Sequence, residues 1–216
     1  MEEHSTGGHR LPTDTDNGML LIISGPSGVG KTTITRAIER SIPDAVFSVS
    51  ATTRPRTSVD VDGVDYQFVT KDEFERKVRA GEFLEHAVYA GNHYGTLRGP
   101  VEAQLARGRL MILEIDVQGA KQVKAKMPRA FAIFIMPPSE EELLKRLRER
   151  KRESEEAIQR RFRIAREEMA EARRCGAYDA FIVNDNLDRA IAEAIELVKK
   201  ARAEGGGGKL KPGSIP

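Results

Sequence analysis

The 216-residue chain has little of several things. It holds one cysteine, Cys175, so no disulfide framework or zinc cluster can form within one chain, and a cytoplasmic setting is expected. With no histidine near it in sequence, that thiol reads as a small buried group rather than a nucleophile. It has no tryptophan, and only 6% of its residues are aromatic. No apolar run reaches the length of a membrane span, and the N-terminus has no apolar signal core. The net charge is only +2, so nothing calls for a nucleic-acid partner. What charge there is sits unevenly: Lys145–Glu153 (KRLRERKRE) is dense in arginine and lysine. Such a run is either a solvated helix face or a set of arginines waiting for a site.

What is present is a sizeable core. Hydrophobic residues make up 39% and charged residues 31%, as in a globular protein. Residues 1–17 and 205–216 are polar or Gly/Pro-rich and read as disordered ends. Between them, apolar strands alternate with helical segments. Strands are expected at Met19–Ser24, Ala45–Ala51, Asp65–Val69, Glu82–Tyr89, Leu110–Val117, Ala130–Met136 and Ala180–Asn184. Helices are expected at Lys31–Ser41, Lys71–Ala80, Val101–Arg107, from Ser139 into the basic run, at Glu155–Cys175 and at Leu187–Ala203. Fully apolar strands alternating with helices imply a parallel α/β sheet buried on both faces.

After the first strand comes Gly25-Pro26-Ser27-Gly28-Val29-Gly30-Lys31-Thr32-Thr33, which satisfies G-x-x-x-x-G-K-[ST] between a strand and a helix. The glycines let successive N–H groups curl towards one anion, and the helix N-terminus adds its dipole. Lys31 supplies a point charge for the β- and γ-phosphates of a nucleoside triphosphate, and Thr32 a hydroxyl for Mg²⁺. The loop by itself implies nucleotide binding and no particular reaction.

Further motifs follow in order: Ser48–Arg54 (SVSATTR) with Pro55 and Arg56, Asp62–Tyr66 (DGVDY), Glu82–Glu85 (EFLE), Gly91–Thr96 (GNHYGT), Leu113–Gly119 (LEIDVQG) and Ile182–Asp185 (IVND). With the phosphate loop, these resemble the guanylate kinase family from about Leu20 to Ala201. The resemblance implies a P-loop NTPase core (18–49, 101–137 and 169–204), a small mixed β subdomain for GMP (50–100) and a helical lid (138–168). It implies transfer of a phosphoryl group from ATP to GMP, with Mg²⁺, in purine nucleotide metabolism; dGMP stands as a second acceptor, and the oligomeric state is left open. Carried over by matching position, Ser50, Arg54, Tyr66, Glu85, Tyr94, Thr96 and Asp116 bind GMP, and Arg56 is a further candidate. Asn184, by resemblance, helps seat the donor adenine.

The chemistry of these residues agrees. Arginine forks and phenolic hydroxyls suit an acceptor phosphate. Guanine offers N1–H and N2–H₂ to carboxylates such as Glu85 and Asp116, and O6 to hydroxyls such as Ser50 and Thr96. Adenine would leave those carboxylates mispaired. Glu114 and Asp116, two apart on the expected strand, should face one side at its carboxyl end. Phosphoryl transfer also needs positive charge on the moving group. Arg161 matches the family's helix arginine. Arg150 fits the lid arginine by spacing, with Arg146 and Arg148 as competitors. Lys31, Arg54, Arg150 and Arg161 are the expected catalytic set.

The chain departs from the family pattern T-T-R-x-P-R-x-G-E. It reads Thr52-Thr-Arg54-Pro-Arg56-Thr57, which puts Thr57 at the second phosphate arginine and Arg56 one position early. Two other readings stay open: a P-loop kinase with a different acceptor, and a non-enzymatic interaction module built on the same fold. The intact phosphate loop weighs against the second.

Overall fold

The computed structural model describes residues 18–89, 91–149 and 154–205. The two ends expected to be disordered (1–17 and, past Gly205, 206–216) and the lid residue Arg150 lie outside the described residues.

In chain order the elements are β1 (Met19–Ser24), α1 (Lys31–Ser41), β2 (Ala45–Phe47), β3 (Ala51–Thr52), β4 (Gln67–Phe68), α2 (Lys71–Arg79), β5 (Phe83–Tyr89) and β6 (Asn92–Leu97). They continue as α3 (Arg98–Leu105), β7 (Leu110–Glu114), α4 (Val117–Lys126), β8 (Phe131–Met136), α5 (Glu140–Glu149), α6 (Glu155–Arg174), β9 (Ala180–Val183) and α7 (Leu187–Ala203).

Five strands form a parallel sheet in the order β2-β7-β1-β8-β9. β1 lies at its centre, and every one of its residues is buried. Alternation explains why the run is apolar throughout. Met19, Leu21 and Ile23 point to one face and join Ile34 and Ile38 of α1 and Ala194 and Val198 of α7. Leu20 and Ile22 point to the other and join Val101 of α3 and Ala120 and Val123 of α4. α5 and α6 pack on β8 through Leu143, Leu147, Ile158, Met169 and Phe134. A second sheet, β4-β3-β6-β5, holds Glu85 on β5 and Tyr94 and Thr96 on β6.

Four points differ from expectation. The single strand at Ala45–Ala51 is two. Phe47 pairs with Ile112 in the core sheet, whereas Ala51 pairs with Gly95 in the second. Alternating apolarity cannot register a change of sheet. The expected strand Leu110–Val117 stops at Glu114, so Asp116 is not a strand residue. It is the N-cap of α4, where its Oδ1 accepts from the Gly119 N–H at 2.7 Å. That helix was not expected, although Val117, Ala120 and Val123 already repeat at its spacing. Nor was β6 expected; its Gly-Asn-His-Tyr-Gly sequence reads as a turn. Its strand character comes from pairing with β5, beyond a reversal where Gly91 takes φ +81°.

Candidate active site

The phosphate loop bridges β1 and α1. Gly25, Gly28 and Gly30 all take positive φ. Gly30, the N-cap of α1, has no side chain to satisfy the first-turn N–H groups, which leaves them for an anion. A side chain at Gly30 has no room: a Cβ would lie 2.6 Å from Asn184 Nδ2. Asn184 is 5% exposed and donates to the Val29 carbonyl at 2.7 Å. It therefore braces the phosphate loop from behind. Lys31 Nζ donates to the carbonyls of Gly25 (2.6 Å) and Pro26 (3.1 Å), folded back over its own loop. Thr32 Oγ1 donates to Glu114 Oε1 at 2.9 Å, and Glu114 Oε2 is buried with no hydrogen-bond partner among the described residues. Thr33 is exposed beside them.

Across a cleft of about 280 Å³ lies the second sheet. Its strand β5 places Glu85 opposite Thr96 of β6, whose Oγ1 donates to Glu85 Oε1 at 2.7 Å. Glu85 is 4% exposed. Burial pushes its carboxyl up to about 7; the Thr96 hydrogen bond opposes that, and the Asp116 charge adds to it. Thr96 is fully buried and stands behind Glu85 rather than on the cleft wall. Room for this carboxylate comes from α4. A Cβ on Gly119 would lie 2.7 Å from Glu85 Oε2.

Ser50, Tyr66, Tyr94 and Asp116 line the cleft with Glu85. The Tyr66 and Tyr94 rings meet edge-on at 5.8 Å. Arg54 stacks over Tyr66, its guanidinium carbon 5.3 Å from the ring centroid. Arg56 is exposed and outside the lining, with its Nε donating to the Asp60 carbonyl at 2.9 Å. Arg161, from α6, lines the cleft on the loop side, and its Nη2 donates to Ser27 Oγ. The competing lid arginines are engaged elsewhere. Arg146 contacts Glu142 (3.0 Å) and the Asn184 carbonyl (3.1 Å), and Arg148 pairs with Glu155 at 2.6 Å.

Two polar cleft residues, Glu168 and Tyr89, were missed. Glu168 follows Arg161 by seven positions, two turns along one face of α6, and that spacing was the available signal. Burial pushes its carboxyl up to about 7, against the pull of Lys31. Tyr89 follows Glu85 by four on β5, the period of one strand face.

A Gly-rich anion loop at the carboxyl end of a parallel strand, sharing one cleft with polar side chains carried by a second sheet, is the architecture of a P-loop kinase. The comparisons narrow the class. The family described as guanylate kinase matches residues 17–201. The chain is 48% identical over 195 residues to the guanylate kinase of Symbiobacterium thermophilum, covering 89% of this chain and 91% of that protein. It is 44% identical over 203 residues to that of Anaeromyxobacter dehalogenans, covering 94% and 87%. The crystal structure of guanylate kinase from Anaplasma phagocytophilum superposes with a TM-score of 0.70 at 33% identity, covering 86% of this chain and 87% of that one. The chain belongs to the guanylate kinase family.

Proposed function

We infer that the chain phosphorylates GMP with ATP: ATP + GMP gives ADP + GDP. The observation that carries this reading is the buried Glu85–Thr96 pair, joined by Asp116 in a cleft that also contains Lys31. Thr96 donates its hydroxyl hydrogen to Glu85, so that part of the pocket offers acceptors outward. A guanine edge supplies two donors for them; an adenine edge leaves them mispaired.

No protein nucleophile is required, because an oxygen of the GMP phosphate attacks the γ-phosphorus in line while ADP leaves. The chain's part is positioning and charge. The curled loop and the α1 terminus bind the donor phosphates. Lys31 leaves its loop carbonyls for the β/γ-phosphates. Arg54, Tyr66 and Tyr94 hold the acceptor phosphate, and Arg56, exposed outside the cleft, joins them only if its loop shifts. Arg161 and Arg150 neutralise the group in transit.

The residues fit a magnesium ion, since the Thr32 hydroxyl meets the Glu114 carboxylate and the other Glu114 oxygen is buried without a partner. When bound, such an ion, carried largely on nucleotide phosphates and water, screens their charge. Residues 50–100 and 138–168 act as two covers closing on the core and excluding water. The setting we propose is cytoplasmic, with ATP, GMP and dGMP as small-molecule partners. Among the described residues, no helix is long and apolar enough to cross a membrane.

A coupled ADP-release assay with GMP, dGMP, AMP, CMP and UMP tests the reading. GMP turns over fastest, with dGMP next. Turnover of AMP with GMP inert sinks it.

A further inference from the structure

Asp60 has no place in the reading so far, yet it holds the arginine that the acceptor phosphate requires. Arg54 Nη1 donates to Asp60 Oδ2 at 3.0 Å and to the Pro55 carbonyl at 3.1 Å. Its Nη2 donates to Asp60 Oδ1 at 3.0 Å. A guanidinium carries five N–H groups, and these three bonds use one end of it. The Nε–H and the second Nη2–H remain, side by side on a second edge in the fork that suits a phosphate. The flat face is held as well, stacked on Tyr66 and on Phe68, whose centroid is 5.4 Å away.

Asp60 is itself fixed. Its Oδ2 accepts from the backbone N–H and the hydroxyl of Thr57, both at 2.7 Å. Its carbonyl accepts from Arg56 Nε at 2.9 Å. The Arg54 hydrogen bonds, followed by those of Thr57, hold its carboxyl well below the usual carboxylate range, so it is ionised at any working pH. Thr57, the residue at the position of the expected second phosphate arginine, thus serves the clamp. Neither Asp60 nor Arg54 lines the cleft; Tyr66, on whose ring Arg54 stacks, does.

We propose that Asp60 is a positioning residue for acceptor binding, gripping the end of the Arg54 guanidinium so that its side edge faces the acceptor phosphate. The inference rests on the reading of Arg54 as the acceptor-phosphate arginine. Without the grip, a long side chain must be ordered at each binding event, which weakens GMP roughly three- to tenfold.

The test is steady-state kinetics on wild type, Asp60→Asn, Asp60→Glu, Arg54→Ala and Arg54→Ala/Asp60→Asn. Asp60→Asn is expected to raise KM for GMP roughly three- to tenfold, with KM for ATP and kcat within about twofold of wild type. Asp60→Glu restores part of the loss. In the Arg54→Ala background Asp60→Asn adds nothing, because the residue acts through Arg54. A lower KM for GMP would mean that Asp60 competes with the phosphate, and overturns the proposal. So does an unchanged KM, an additive effect without Arg54, or an equal rise in both KM values with a lower Tm, which marks a merely structural role. Wild-type turnover of GMP is the internal control: if it is absent, the functional reading fails and the inference falls with it; if it is present, the variants judge Asp60 alone.

Discussion

Replacing Glu85 with glutamine should make the protein more stable and less able to use GMP, and the gain should depend on pH. Glu85 is nearly inaccessible, and burial lifts its carboxyl from 4.5 to about 7. In the unfolded chain the same group titrates near its ordinary value. The folded state therefore holds the proton more tightly, and ionisation costs it stability as pH rises from about 4.5 through 7. At about 1.4 kcal/mol per pH unit the full cost is about 3 kcal/mol above neutrality, and close to nothing only below about pH 4. A glutamine keeps the shape and an oxygen for the Thr96 hydroxyl but does not titrate. Thermal melts of both proteins from about pH 4 to about pH 8.5 should show Tm values that coincide at the acid end. At the alkaline end the variant should melt roughly 6–12 °C higher, given the usual relation for a chain of this size. Glu168 also titrates near neutrality, but it is present in both proteins and cancels in the difference. The amide points a donor at guanine's donors, so kcat/KM for GMP should fall roughly a hundredfold. A Tm difference that stays flat with pH, or an undiminished preference for GMP, would refute the account of this carboxylate.

Three further outcomes are expected. Lys31→Ala should lower kcat by roughly 10²–10³ in the ADP-release assay, the scale of one lost preorganised charge contact; a loss under tenfold would remove Lys31 from the transition state. Arg56→Ala should raise KM for GMP roughly tenfold, as for one charge-assisted hydrogen bond; an unchanged KM would leave Arg56 with its loop contact alone. Gly119→Ala places a methyl 2.7 Å from Glu85 Oε2. It should cost about 1–3 kcal/mol in urea unfolding and raise KM for GMP more than KM for ATP, and equal effects on both would disconnect α4 from the acceptor pocket.

Much of this was legible beforehand, for reasons that can be named. β1 and β8 are buried on both faces, so their runs are apolar without interruption, and α1 and α7 match their expected bounds. The phosphate loop needs specific residues at fixed spacing, and these are visible in any sequence that has them. The second sheet was harder to read because its strands are short, and pairing rather than composition makes them strands. β3 and β4 have two residues each. α4 was hidden by Gly119, which looks like a break but is the close approach that admits Glu85. The Arg54–Asp60 clamp joins residues six apart across a loop of no regular structure. Only coordinates bring Thr57, Asp60 and Arg54 together.

The brace behind the phosphate loop has a consequence for how the chain tolerates change. Asn184 reaches the Val29 carbonyl through its side chain, and its own carbonyl accepts from Arg146, in the first helix of the lid region. One residue at the end of β9 is thus a shared footing for two parts that are far apart in sequence. A shift of the backbone at position 184 would disturb the loop and α5 together, whereas a change of its side chain strikes the loop alone, so substitutions at Arg146 and at Gly30 are coupled through that backbone. Libraries that vary the lid and the loop separately will overlook the combinations that matter. Pairs chosen around Asn184 are where compensating changes should be sought first.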